Sequence, residues 1–232
     1  MHDPYAGIRG ICSMATRGLL DELASAYSQR VGIEVKFLSA GGVDAARRIC
    51  SGEQFDVVAL ASDAIDKLVA AGHLHAAGKV DWVRSAVGVA VRAGASKPDI
   101  ATESALRRAV HDAERIAVST GPSGVALMRL FERWGLMEDL RHRVVQAPPG
   151  VPVGALLARG DADIGFQQVS ELLGVAGIEL LGPMPQEIQI LTTFSAAPAV
   201  ASGRQDDTGK FLRYLASNDC TAVKRRHGMH EL

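Results

Sequence analysis

Two hydrophobic periods alternate along the chain. Gly7 to Cys12 is a short β-like run, after which Leu19, Leu20, Leu23, Ala24 and Tyr27 recur at helical spacing through Gln29. Ile33 to Leu38 alternates as a second strand, a Gly41-Gly42 turn leads into a helix over about Val43 to Ser51, and Phe55 to Leu60 is the continuous apolar run of a buried parallel strand. Ser62 reads as an N-cap before Ile65, Leu68 and Val69, an apolar helix face that Gly72 can end. Strand and helix repeated in this way predict parallel strands, right-handed crossovers and helices on both faces.

A second series starts after Trp82. Ala86 to Val91 is apolar, Ala93 to Pro98 is a loop, and Thr102 can cap a helix carrying Ala105, Leu106, Ala109 and Val110. Arg115 to Val118 reads as a strand, GPSG at 121–124 opens a helix with Val125, Met128 and Phe131, and Arg143 to Val145 is another strand. A helix over Val153 to Arg159 and a buried strand at Asp163 to Phe166 follow, then apolar runs at Ile178 to Leu181 and Ile188 to Phe194. A helix near Asp207 to Leu215 turns Phe211, Leu212 and Leu215 inward, and a charged helix lies near Cys220 to Arg226. These are two α/β sets of similar length with no linker between them; crossover strands near 84–93 and 188–196 would join them. The expected division is 1–87 plus 196–232 for one lobe and 88–195 for the other. A ligand would lie between the lobes, where strands end and helices begin.

Composition narrows the function. The chain has 232 residues with 25 Lys+Arg against 26 Asp+Glu, a formal charge of -1, so no overall field favours nucleic acid or an anionic membrane. Cys12, Cys50 and Cys220 are too scattered for a disulfide framework or a CxxC metal site. Arg9 and Arg17 interrupt the place where a signal peptide's apolar stretch would lie, which predicts a cytoplasmic protein, or a periplasmic one if a signal peptide has been removed. No apolar window is long enough for a transmembrane helix.

Five junctions of small or hydroxylated residues stand at the predicted helix starts: Ser13-Met14-Ala15-Thr16, Ala40-Gly41-Gly42, Ala61-Ser62, Ser119-Thr120-Gly121-Pro122-Ser123-Gly124 and Pro149-Gly150-Val151. Helix N-termini present unpaired N–H groups and partial positive charge, and small residues let an anion approach them. Each hydroxyl has a plainer role as a helix cap. Arg17, one residue into its helix, has the fork geometry for a carboxylate, against the alternative of a solvated surface charge. Gln167, Gln168 and Glu171 follow the DADIGF strand; Gln168 can donate to a ligand carboxylate, and Thr192 can line the same site. STGPSG lacks the lysine of a nucleotide-binding P-loop, and no GxSxG or HExxH is present. The seven histidines, His2 among them, form no ligand pair on one face, so no metal is expected.

The ordered series CSMATRGLL, FDVVALASDAIDKLVAAG, SAVGVAVRAGASKPDI, STGPSG, GDADIGFQQVSEL and LGPMPQEIQILTTFSAA resembles the type II periplasmic solute-binding fold, in its molybdate-binding-protein-like group, over roughly residues 7–228. The resemblance implies an α/β protein of two lobes, each a mostly parallel sheet flanked by helices, joined by two crossover strands. It transfers oxyanion contacts to Ala15-Thr16, Ala40-Gly41, Ser123, Gly150-Val151 and Gln168. Ala15 stands where molybdate binders use a serine, Gly41 in place of another hydroxyl region, and Gln168 where a tyrosine is usual, departures that weigh against molybdate or tungstate. VGVAVRAGASKPDI, LGPMPQEIQ and TTFSAA are more similar to an aconitate isomerase-like subgroup. That implies a cofactor-independent isomerase moving a C=C double bond in a small unsaturated di- or tricarboxylate. The alternative is a solute-binding protein of an ABC-type uptake system for a carboxylate or oxyanion, with a permease as partner only if exported. Isomerisation needs a base, for which Glu171 and Cys12 are the candidates by position. The ligand set is Ser13, Ala15, Thr16, Arg17, Ala40, Gly41, Gly42, Ser62, Ser119, Thr120, Ser123, Gly124, Gly150, Val151, Gln168 and Thr192.

Overall fold

The computed structural model describes residues 7–148 and 150–232, so His2 and Pro149 lie outside the described residues. The chain opens with strand β1 (Ile8–Ser13), a 3-10 turn over Met14–Thr16, and helix α1 (Arg17–Val31). α1 buries Leu19, Leu20, Leu23, Ala24 and Tyr27, the stripe its spacing predicts, and ends at Gly32 in the left-handed region (φ +76°). Then come β2 (Val35–Ala40), α2 (Gly42–Cys50), β3 (Val57–Ala61), α3 (Ser62–Ala70) and a 13-residue strand, β4 (Val80–Arg92).

Next follow α4 (Glu103–Asp112), β5 (Ile116–Val118), α5 (Pro122–Arg133), α6 (Met137–Leu140), β6 (Val144–Gln146), α7 (Val153–Arg159), β7 (Ile164–Gln168), α8 (Val169–Leu172) and β8 (Ile178–Pro183). The chain closes with β9 (Leu191–Pro198), α9 (Gln205–Ala216), α10 (Thr221–Arg226) and β10 (Met229–His230). Thr102 caps α4 as its position predicts, its Oγ1 accepting from the Ala105 N–H at 3.2 Å.

Two compact units divide the chain: Met1–Arg84 with Thr193–Leu232, and Ser85–Thr192. In the first, β1 pairs in parallel with both β2 and β3, and β9 runs antiparallel to β3. In the second, β5 pairs in parallel with β6 and β7, while β4 runs antiparallel to β7 and β8. β4 and β9 are the two crossover strands, each continuous across a unit boundary.

Three sequence expectations are corrected. Trp82 does not separate two series but lies inside β4: Trp82 and Val83 belong to the first unit's core, and Val87, Val89 and Val91 to the second's. The strand after Asp163 runs on through Gln168, so Gln167 and Gln168 belong to it. The apolar stretch from Ile188 is not one strand, because a 3-10 turn over Gln186–Ile188 precedes β9.

The C-terminal segment completes the first unit. Phe211 of α9 is fully buried, its ring edge-on to Tyr27 of α1 at 5.1 Å and 5.9 Å from Phe37 of β2. Phe211→Ala is expected to cost about 3–5 kcal/mol, read as a lowered urea midpoint; a loss below about 1 kcal/mol would mean that α9 contributes little to that core.

Candidate functional site

Parallel pairing decides where chemistry can gather. In the first unit Ser13 is in register with Ala40, and Cys12 with both Ser39 and Ala59, so the three strand ends share one edge with the starts of α1, α2 and α3. At the first junction Thr16 is fully buried, its hydroxyl donating to the Ser13 carbonyl at 3.3 Å and lying 3.2 Å from Ser13 Oγ. Thr16 therefore spends its hydroxyl inside the turn, and Ala15 is buried beside it. Arg17 is exposed, its Nε 3.8 Å from Asp21 one turn on. At the second junction a Cβ on Gly41 or Gly42 would meet nothing within 4 Å, so the backbone around Ala40, Gly41 and Gly42 is open to a ligand.

Ser62 corrects a sequence expectation, since it is the first residue of α3 and caps nothing. Its Oγ accepts instead from Lys79 Nζ at 3.1 Å. Lys79 also bonds Asp66 at 2.6 Å, which holds its ammonium pKa above the usual value, and sits 3.7 Å from Asp81, the acceptor of the Ser195 hydroxyl of β9. Sequence reasoning missed Lys79, for it stands 17 positions from Ser62. Cys12 is fully buried in the first unit's core, and burial pushes its thiol up to about 12. A thiol held neutral and sealed packs as a small apolar group and makes a poor base at neutral pH.

In the second unit the ends of β5, β6 and β7 share one edge, Val118 being level with Gln146 and Phe166. Gly121 is the N-cap of α5, Pro122 its first residue, and the Ser119 and Ser123 hydroxyls lie 3.2 Å apart. Thr120 is exposed. Gly124 serves packing, because a Cβ there would lie 1.9 Å from the Ser119 carbonyl oxygen. Gly150 takes a left-handed φ of +78°, and the Val151 N–H is used within that turn, bonding the Pro148 carbonyl at 3.0 Å.

The densest polar cluster lies where β7 meets α8. Gln168 is buried; its Nε2 donates to Thr192 Oγ1 at 2.8 Å and its Oε1 is buried with no hydrogen-bond partner among the described residues. Ser85 of β4 and Ser170 of α8, not singled out in the sequence, also have buried hydroxyls without partners among the described residues. Unpaired buried polar atoms are costly and uncommon, which makes these three side chains of the second unit candidates for contact with a bound molecule. Gln167, also buried, accepts the Val153 N–H at 2.8 Å and donates to Glu171 Oε1 at 2.8 Å. Burial lifts the Glu171 carboxyl to about 7 against the opposing hydrogen bond from Gln167. Among the described residues no cluster of His, Cys, Asp and Glu is arranged to hold a metal ion, and no helix is long and apolar enough to cross a membrane.

These two α/β units, linked by two crossover strands, define a type II solute-binding fold. The pattern of bacterial extracellular solute-binding proteins matches residues 8–230, and the chain belongs to that family. An aconitate isomerase of Pseudomonas sp. is 35% identical over 232 residues, covering 97% of this chain and 88% of that protein. Among solved structures, the periplasmic molybdate-binding protein of Azotobacter vinelandii superposes with a TM-score of 0.80 at 19% identity, covering 96% of this chain and 98% of that one. The sulfate-binding protein of Mycobacterium tuberculosis gives 0.78 at 16% identity, covering 98% and 87%.

Gly124→Ala is expected to destabilise the protein by about 1–3 kcal/mol, whereas Gly121→Ala, whose Cβ meets nothing within 4 Å, should change little. Paired thermal melts check this, and equal behaviour of the two would remove the Ser119 contact as the reason for glycine. Glu171 sets a pH dependence. From about 4.5 to about 7 the folded chain holds a proton that the unfolded chain has released, so this group's contribution to stability falls as pH rises through that window. Relative to Glu171→Gln, the wild type should lose stability between about pH 4.5 and about pH 7, read from urea midpoints; parallel curves would show an unshifted carboxyl.

Proposed function

We propose that the protein is a cofactor-independent isomerase that moves a C=C double bond in a small unsaturated polycarboxylate of the aconitate class. The observation that carries this reading is Glu171: a half-buried carboxyl raised by burial to about 7, with no cationic partner among the described residues and its Oε1 held by Gln167 Nε2 at 2.8 Å. A carboxyl poised near neutrality can take a proton and return it at comparable cost, which the reaction requires. The 35% identity to an aconitate isomerase supports the substrate class.

In the proposed reaction the Glu171 carboxylate removes a proton from the carbon flanked by the double bond and a carboxylate group. The electron pair moves through the double bond to give a dienolate, and the proton is delivered to the far carbon. One C–H bond breaks and one forms, and no external oxidant or reductant is needed. Within the second unit, Gln168 and Thr192 are the hydrogen-bonding groups of the scheme. Within the first, Arg17 and the open Gly41-Gly42 amides are groups suited to a carboxylate. Cys12 has no role in this scheme. Membership of an extracellular family supports action outside the cytoplasm in place of the cytoplasmic expectation.

A second reading, a binding component for a small carboxylate or oxyanion in an uptake system, is favoured by that family membership. Proton NMR of cis- and trans-aconitate in D2O with catalytic amounts of protein separates the two. Interconversion with deuterium uptake is expected, reduced about 10²–10⁴-fold in Glu171→Gln. No exchange, together with a melting shift on adding a carboxylate or molybdate, would establish the binding protein instead.

A further inference from the structure

We infer that Gln167 is a positioning residue that gives the two oxygens of the Glu171 carboxyl different tasks, holding Oε1 as a permanent acceptor and leaving Oε2 to exchange the proton. The inference rests on the reading of Glu171 as the proton-transfer group.

It begins with the local sequence of β7. Ile164, Phe166 and Gln168 point to one face of the strand and Gly165 and Gln167 to the other, where α7 packs. A Cβ on Gly165 would lie 2.6 Å from Val153 Cγ1 and 2.9 Å from Leu157 Cδ1, so glycine there lets α7 come close to the strand. That approach brings the first residue of α7, Val153, within reach of Gln167. Val153 is fully buried, and its N–H is one of the donors that a helix start leaves without an intrahelical partner. No side chain at the N-cap, Pro152, satisfies it; Gln167 Oε1 does, at 2.8 Å.

A backbone N–H can only donate, so the oxygen end of the Gln167 amide is fixed toward Val153, and its NH2 end faces Glu171. Nε2 donates to Glu171 Oε1 at 2.8 Å whether or not the carboxyl is ionised. A proton on Oε1 would confront the amide hydrogen, so the acid's proton resides on Oε2. Oε2 takes no hydrogen bond from the described residues and is not among the side-chain oxygens sealed from solvent. The elements packed on α8 add little charge: β7 carries no titratable group, Arg159 at the far end of α7 bonds Asp161 at 2.8 Å, and Glu179 of β8 pairs with Lys97.

The test uses the full chain labelled with glutamate carrying ¹³C at the side-chain carboxyl, the Glu171 resonance being identified by its loss in Glu171→Gln. Gln167→Met removes both bonds and should raise the Glu171 midpoint by about one pH unit. Gln167→Glu keeps an acceptor for Val153, so it retains the helix start even if Gln167→Met fails to fold. Its two carboxyls should titrate as a pair with the upper step above the wild-type midpoint. An upper step at the wild-type value in folded Gln167→Glu overturns the inference. Deuterium exchange on aconitate is read separately: a moved midpoint without exchange in the wild type defeats the isomerase reading and supports the positioning role. Exchange with an unmoved midpoint supports the isomerase reading and overturns the positioning role.

Discussion

Parallel pairing of β1 with β2 and β3 in one unit, and of β5 with β6 and β7 in the other, is the constraint on which the candidate site depends. Parallel neighbours put their C-terminal ends on one edge, and every return helix must then start there. Residues as distant in sequence as Ser13, Ala40 and Ser62 come to one edge of the sheet for that reason alone. The small residues at these starts are not equivalent. Gly41 and Gly42 leave open backbone, Gly124 makes room for the Ser119 carbonyl, and Thr16 turns its hydroxyl inward. A glycine beside a helix start is thus evidence for a ligand only after its missing side chain has been shown to face empty space.

The fold was legible because its cores repeat simple periods. Leu19, Leu20, Leu23, Ala24 and Tyr27 are all buried on α1, and the two long strands joining the series stand at 80–92 and 191–198, close to where the apolar runs place them. Two short helices were not legible: α6 and α8 have 4 residues each, too few to show a helical period. Trp82, where the sequence places the start of a second series, instead fills the first unit's core from within a strand.

For the candidate site residues the sequence shows position in the fold and not partners. Glu171 stood out because it follows a buried strand, yet nothing local to it shows that burial lifts its carboxyl or that Gln167 is its partner. The adjacent glutamines at 167 and 168 held a usable signal: at the end of a strand, successive side chains point to opposite faces, so one of the pair must serve the helix while the other turns away from it. Lys79 had no such signal, since its bonds to Ser62 and Asp66 are made by tertiary folding.

Burial of polar groups in the second unit costs stability. Keeping Glu171 half-buried with no cation beside it among the described residues lowers stability above neutral pH, and the buried oxygens of Gln168, Ser85 and Ser170, unpaired among the described residues, add to that cost. The chain path has a different consequence. The second unit is continuous, Ser85–Thr192, whereas the first is split and needs Phe211, Leu212 and Leu215 to close its core. On the ribosome the second unit therefore has all its residues before the first does. The opening segment, with its apolar α1 face, stays only partly covered until α9 supplies Phe211, Leu212 and Leu215, and that interval is when the unfinished core is open to chaperones and to aggregation.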